Sequence, residues 1–381
     1  MDITTRGRAP SRRRGRRLAS LVVGAALATA AFGAQPAQAA DLEVNSDTMV
    51  FVPFRGQTFG IVRNGTFLTP SYTTGDFRGA EPFEGDFTGQ PGTDVFWYRP
   101  GSAPDGIVQV TPDGAGVETT FIPKSVNGFF TPLVGDFDGN AIDDILWYAP
   151  GSAPDALWLF NSNGSHTNVP LAISGEYIPT VIEANGDGFD DILWYGPGAD
   201  ADSMWLFGAG ASHTTKPVAI SGNYQLIPGF FGLRPEGSPQ KRLVFFNPTG
   251  PDSIWTFDTS ANHTSAPLPN VDGAFYPVVG GFTSTVTDAI LWYRPGSGSE
   301  AFWSFTDAGA VNQLEPLNVG GTYDPAVGDF DGNGYQDIAW SSAGHATVWK
   351  FHSGGYVQGT VNTGLPNTTL LVGHTDPATL G

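Results

Sequence analysis

Two stretches of this chain are copies of one unit: Asp144-Ile-Leu-Trp-Tyr-Ala-Pro-Gly-Ser-Ala-Pro-Asp-Ala-Leu-Trp-Leu-Phe160 and Asp191-Ile-Leu-Trp-Tyr-Gly-Pro-Gly-Ala-Asp-Ala-Asp-Ser-Met-Trp-Leu-Phe207. Related copies put the first aromatic at Trp97, Trp147, Trp194, Phe245, Trp292 and Trp340, with spacings of 50, 47, 51, 47 and 48. A second tryptophan follows at Trp158, Trp205, Trp255, Trp303 and Trp349, so all ten tryptophans fall on two repeat positions. A fixed period of this size is the mark of stacked supersecondary units.

Each unit reads as short strands divided by turn chemistry. Pro132 to Val134 is extended, an acidic loop follows, then Ile145 to Tyr148, a Pro-Gly turn, Ala156 to Phe160, and a weaker strand near Val169 to Ile173. Four short strands per period is the size of a propeller blade. The Ile-Leu-Trp-Tyr run does not alternate, as expected of strands covered on both faces. Met49-Val-Phe-Val-Pro53 matches the Trp-Tyr-x-Pro strand and adds one copy, while Leu370-Leu-Val-Gly373 resembles the first strand Leu133-Val-Gly135. The fold predicted over residues 40–381 is therefore all-β: one seven-bladed β-propeller of four-stranded antiparallel blades, its ring closed by pairing of N- and C-terminal strands. Closure would remove an exposed edge; a solenoid with free ends is the alternative.

Residues 1–39 stand apart. Seven arginines (Arg6, Arg8, Arg12, Arg13, Arg14, Arg16, Arg17) precede an apolar run from Leu18 to Phe32, and Ala37-Gln38-Ala39 ends in a small-x-small pattern. That is the layout of a secretory signal peptide, and it places the protein outside the cell. Without this segment, 11 of the 18 basic and 36 of the 37 acidic residues remain, a formal charge near −25. Such a surface repels nucleic acid and anionic lipid and attracts cations. The chain has no cysteine, so disulfides and thiol chemistry are excluded.

Gly135-Asp-Phe-Asp-Gly-Asn-Ala-Ile-Asp-Asp-Ile145 and Gly328-Asp-Phe-Asp-Gly-Asn-Gly-Tyr-Gln-Asp-Ile338 resemble FG-GAP (VCBS) repeats, the repeats of integrin α-subunit propellers. The resemblance implies a β-propeller with calcium-binding loops and no single activity, since the family spans adhesion proteins, lectin-like proteins and accessory domains of secreted enzymes. The loop chemistry points the same way. A hard cation takes six to eight oxygens at about 2.3–2.6 Å, and acids at alternate positions of a tight turn converge. Asp136, Asp138 and Asn140 would offer side-chain oxygens, Ile142 a carbonyl and Asp144 the closing carboxylate. Asp329, Asp331, Asn333, the carbonyl of Tyr335, and Asp337 repeat the set, and Glu183, Asn185, Asp187, the carbonyl of Phe189, and Asp191 form a third with Glu in place of the usual Asp.

Other copies lose the pattern. Asp86 and Asp94 bracket Thr88 and Gln90 and form a weaker candidate; the 281–288 copy retains one acid, Asp288; the 230–243 copy, with Arg234, Lys241 and Arg242, retains none of the ligand acids of the pattern. An ion-free Asx turn is the alternative for any single loop, but three copies in one register favour structural Ca²⁺.

Tyr98, Tyr148, Tyr195 and Tyr293 precede the Pro-Gly turn, and His166, His213 and His263 recur at one repeat position. Both sets are candidates for a ligand rim, with turn-forming histidines as the plainer alternative. No nucleophile elbow, zinc motif or phosphate loop is found. The expected function is a secreted, calcium-binding, lectin-like adhesion protein for a glycan or surface polymer. The alternatives are a secreted carbohydrate-active hydrolase or lyase with its site at the propeller's central mouth, and a pure scaffold.

Overall fold

The computed structural model describes residues 80–361, apart from 91–93, 102–103, 114–115, 152, 198–200, 235–236, 238, 297–299, 330–332 and 343–344, together with 47–51, 60–63, 66–68 and 369–373. The segment expected to be a signal peptide lies outside these residues. Apart from the 3₁₀ turn Ala209–Ala211, every regular element is a strand.

Six blades, where seven were expected, are each complete within a contiguous stretch. Blade I comprises Glu81–Gly85, Asp94–Tyr98, Asp105–Asp113 and Gly116–Lys124; blade II, Thr131–Gly135, Asp144–Tyr148, Asp155–Phe160 and His166–Leu171; blade III, Ile178–Ile182, Asp191–Tyr195, Ser203–Gly208 and Ser212–Pro217. Blade IV comprises Gln225–Leu233, Pro239–Phe246, Ser253–Phe257 and His263–Pro267; blade V, Tyr276–Gly280, Ala289–Tyr293, Ala301–Phe305 and Val311–Gln313; blade VI, Asp324–Gly328, Asp337–Ser342, His345–His352 and Gly355–Val361. One more four-stranded sheet draws on both ends of the chain. Thr369–Gly373 pairs antiparallel with Asp47–Phe51, which pairs with Gly60–Arg63 and it in turn with Thr66–Leu68. Strand 369–373 lies against the first strands of blades VI and I.

The core sits between blades rather than within them. Successive residues of a strand face opposite ways, so Trp147 packs toward blade I with Phe83, Phe96 and Tyr98, while Tyr148 packs toward blade III with Trp194. Both faces of the second strand are therefore covered, and Asp144 to Tyr148 are all buried. On the outer strand the sequence places a proline at one register position: Pro123, Pro170, Pro217 and Pro267 each oppose the residue that follows the repeat's second acid. Proline removes a donor that an outer edge would otherwise leave free for pairing.

Candidate functional site

The acidic loops link the first and second strands at one end of the barrel of blades. In blade II the chain turns through Gly139 (φ 78°) and Ala141 (φ 62°). Asp136 caps the turn, accepting from the N–H groups of Gly139 (2.7 Å), Asn140 (3.1 Å) and Ala141 (2.8 Å). Asn140 accepts from Ile142 N–H at 2.7 Å and donates to the Phe160 carbonyl at 2.9 Å. Asp144 accepts from the N–H groups of Phe137 and Phe160 at 3.1 and 2.8 Å. Oxygens of Asp136, Asp138 and Asp144 come within 4.8 Å of one another, and among the described residues this is the one group of three acids or histidines so placed.

Three carboxylates in one partly buried turn leave excess negative charge. Burial first, then the neighbouring Asp138 and Asp136, push the Asp144 carboxyl up to about 8 against the N–H groups that favour its ionised form; burial and Asp136 also raise Asp138. A hard divalent cation would supply the missing positive charge, and its preferred donors are the oxygens present.

The other loops match unequally. In blade VI Asp329 accepts from Asn333 and Gly334 N–H at 3.1 and 2.7 Å, Asn333 donates to the Phe351 carbonyl, and Asp337 accepts from Phe351 N–H, the same bonds as in blade II. Asp331 lies outside the described residues. Tyr335 N–H donates to Asn333. In blade III Glu183 reaches over the turn to the N–H groups of Gly186 and Asp187, and Asp187 and Asn185 bond to each other. Phe189 N–H donates to Asp187, and burial lifts Asp191 to about 7. Glu183 thus serves as the cap of this turn, as Asp136 does in blade II. The Arg234 guanidinium lies over Gly186. In blade I Asp86 caps Gly89 N–H at 2.6 Å, and the buried Asp94 has one oxygen on Phe87 N–H and the other unpartnered. Burial, with Asp86 adding to it, lifts Asp94 to about 8.

Two further sets of acids escaped the sequence reading. The residue before the closing acid reaches back to the first loop residue of the preceding blade and makes a reciprocal pair of bonds. Asp143 accepts from Asp86 N–H and donates its own N–H to the Asp86 carbonyl; Asp190 does this with Asp136, Asp288 with Phe230 and Gln336 with Gly281. Ala289 opposes Gly280 as Asp144 opposes Gly135. The one acid retained in the 281–288 copy is thus an inter-blade clasp, not a remnant of the ion site. The doubled Asp143-Asp144 and Asp190-Asp191 were the available signal. The second set opens the third strand: Asp155 accepts from Ala149 and Ile173 N–H, Asp105 from Arg99 and Val126, Asp202 from Gly196 and Ile220, and Asp252 from Asn247 and Val271. Each carboxylate ties the turn after the second strand to the connection leaving the fourth strand. In blades I to III the Asp four residues after the glycine of Pro-Gly was its visible trace.

The tyrosines do not form a rim. Tyr98, Tyr148, Tyr195 and Tyr293 are at most 1% exposed. Each hydroxyl is a plug: Tyr148 donates to the Gly175 carbonyl and accepts from Tyr177 N–H, and Tyr98, Tyr195 and Tyr293 do the same with Gly128 and Phe130, Gly222 and Tyr224, and Gly321 and Tyr323. Their position before a turn suggested surface, but the following blade covers them. His166, His213 and His263 lie at the other end, on the outer strand, with rings stacked 3.8, 3.9 and 3.6 Å from Trp158, Trp205 and Trp255. Burial lowers all three; His166, with Lys124 beside it, falls to about 4, so the rings are neutral at ordinary pH. His166 opposes Phe160, whose carbonyl receives Asn140, which places the histidine rank beside the acidic loops.

An FG-GAP repeat model matches residues 321–361, which hold blade VI. No curated protein matches the sequence. Among solved structures the chain is similar to an Agrocybe aegerita lectin described as specifically recognising non-reducing terminal N-acetylglucosamine, with TM-score 0.67, 13% identity, and coverage of 87% of this chain and 96% of that one. It is also similar to a Lactobacillus plantarum protein, with TM-score 0.54, 10% identity, and coverage of 86% and 99%. At these identities the likeness is one of fold. The repeat model thus falls on one blade of a fold built from four-stranded antiparallel blades, which supports an FG-GAP repeat propeller.

Proposed function

We propose that this protein is an exported, calcium-stiffened propeller that binds a glycan or other surface polymer at repeated equivalent sites. The sheet made from both chain ends serves as its seventh blade. Calcium is held by Asp136, Asp138, Asn140, the Ile142 carbonyl and Asp144, by the matching set from Asp329 to Asp337, and more weakly by the Glu183–Asp191 and Asp86–Asp94 loops. The observation that carries the metal reading is the convergence of Asp136, Asp138 and Asp144 within 4.8 Å. Bound calcium would neutralise that charge and fix the loop. With a dissociation constant around 10⁻⁵–10⁻⁴ M, millimolar calcium would add roughly 1.4–2.7 kcal/mol of stability per site.

The binding reading is supported by the recurrence of one motif, a neutral histidine stacked on tryptophan, at the same place in blades II, III and IV. Equivalent sites on a rigid ring raise avidity for a repeating polymer. The likeness to a lectin is consistent with this. Among the described residues no helix is long and apolar enough to cross a membrane. The test is a screen of the purified protein against immobilised glycans and polysaccharides, with and without EDTA. Retention that weakens on combined His166→Ala, His213→Ala and His263→Ala substitution is expected; retention unaffected by the triple variant would overturn the placement, and release of products would overturn the binding-only reading. Bound calcium by elemental analysis tests the metal directly.

A further inference from the structure

Blade IV departs from its neighbours where they carry acid. Gly229 opposes Arg242 in the register in which Gly135 opposes Asp144. Arg242 therefore stands in the place of the closing carboxylate, and Lys241 in the place of the clasp. The first and second strands continue past this point through a bulge between Phe230 and Leu233, in place of the acidic turn.

Arg242 is 4% exposed. Its guanidinium donates through Nη1 to the Phe231 carbonyl, through Nε to Thr256 Oγ1 at 2.9 Å, and through Nη2 to the Asp307 carbonyl at 2.6 Å. All three acceptors are neutral oxygens, two of them backbone carbonyls, a donor class that hard cations also take. Phe231 follows Phe230 as Phe137 follows Asp136, so the guanidinium is received by backbone that corresponds to the ion loop of blade II. The cradle is shaped for it: a Cβ on Gly232 (φ 98°) would come within 2.7 Å of Nη1 and 2.3 Å of the Thr306 carbonyl. Thr306 and Asp307 form the outer turn of blade V, so the side chain spans two blades. Lys241 meets Asp190 of blade III at 3.6 Å and lies 5.4 Å over the Phe230 ring.

We propose that Arg242 is a resident cation: it occupies the position that the acidic loops of other blades reserve for a metal ion, and it fastens blade IV to blade V without one. The comparison with a metal rests on the calcium reading of those loops; the inter-blade link does not. A blade so built needs no acid at the closing position or at the clasp, where Arg242 and Lys241 stand.

Hydrogen exchange by mass spectrometry on the full mature chain, in calcium and in EDTA, tests this. In the wild type, EDTA is expected to speed exchange at 136–144 by about tenfold or more while 226–233 and 306–310 stay unchanged. Arg242→Ala is expected to speed exchange at 226–233 and 306–310 alike in both buffers. Arg242→Gln, which keeps an amide donor but no charge, provides the same comparison if the alanine variant does not fold. Loss of protection at 226–233 in wild-type EDTA samples, or unchanged exchange at both segments in both variants, would overturn the proposal. A 136–144 segment indifferent to EDTA would refute the calcium reading and the metal comparison with it, while the variants still decide the inter-blade link.

Discussion

Tyr148→Phe isolates one hydroxyl. The ring, packed 5.1 Å from Trp194, is retained, and only the donor to the Gly175 carbonyl (3.1 Å) and the acceptor for Tyr177 N–H (2.9 Å) are removed. Each bond contributes about 0.5–1.5 kcal/mol net, and the half-covered backbone groups left behind add a desolvation cost, so the expected loss is about 1–3 kcal/mol. Unfolding entropy near 2.1 cal/mol/K per residue, over roughly 340 residues, converts this to a fall in Tm of roughly 1.5–4 °C by calorimetry. Blade IV has Phe246 at this position and so lacks the hydroxyl, and there Phe275 packs more loosely, 3.6 Å from a Cβ placed on Gly273 against 2.6 Å for Tyr177 and Gly175. A Tyr148→Phe protein that melts with the wild type, or that loses glycan retention without losing stability, would refute the plug and restore the tyrosine to the ligand rim.

Other perturbations follow from the same contacts. Asp155→Ala strands the buried N–H groups of Ala149 and Ile173 and should cost about 2–5 kcal/mol in urea unfolding, with Asp155→Asn milder because one acceptor survives; an alanine variant as stable as the wild type would show that the carboxylate is not the anchor. Gly175→Ala (φ 130°), whose Cβ would meet the Tyr177 ring at 2.6 Å, should destabilise by about 1–3 kcal/mol, more than Gly151→Ala (φ 97°), which meets nothing within 4 Å. In EDTA the protein should lose stability as pH rises from about 4 to 8. Burial lifts Asp144 to about 8 and Asp143 and Asp288 to about 7, above their ordinary 3.8. The folded form then holds protons that the unfolded chain has released, so their contribution is full below 3.8 and lost through 7 to 8. If calcium binds the ionised loop as proposed, it should flatten that decline; an EDTA melting temperature that rises across this range would contradict the assignment.

Much of the fold was legible because repetition multiplies weak signals. A lone Ile-Leu-Trp-Tyr run is ambiguous between a buried strand and a buried helix segment, but its return at one period, each time before Pro-Gly, leaves a blade as the simple solution. The acidic turn of blade II was legible for a related reason: alternate oxygens in a tight turn must converge, and Asp136, Asp138 and Asp144 do. What escaped were contacts with residues far along the chain, in the neighbouring blade or, for Asp155, in its own. Tyr148 looks like a turn-edge residue until blade III covers it, and Asp143 looks like a spare acid until its partner on blade I is known. Side-chain chemistry within one repeat is local and periodic, whereas a contact between repeats joins residues about one period apart, and its trace, such as the doubled Asp143-Asp144, does not name the partner.

That distinction also explains why the ion loops vary while the ring does not. Asp143, Asp190, Asp288 and Gln336 keep the same reciprocal bonds to the preceding blade, although the loops beside them run from three converging carboxylates to none. A glutamine serves there because the clasp needs an acceptor oxygen and a backbone N–H, not a charge. The proposed ion site would need charge and several oxygens at once, so a single change such as Thr88 would weaken it. A blade that loses its loop acids can therefore remain in the ring: blade IV has Lys241 in place of its own clasp, is still held by the Asp288 clasp of blade V, and supports its turn with an arginine.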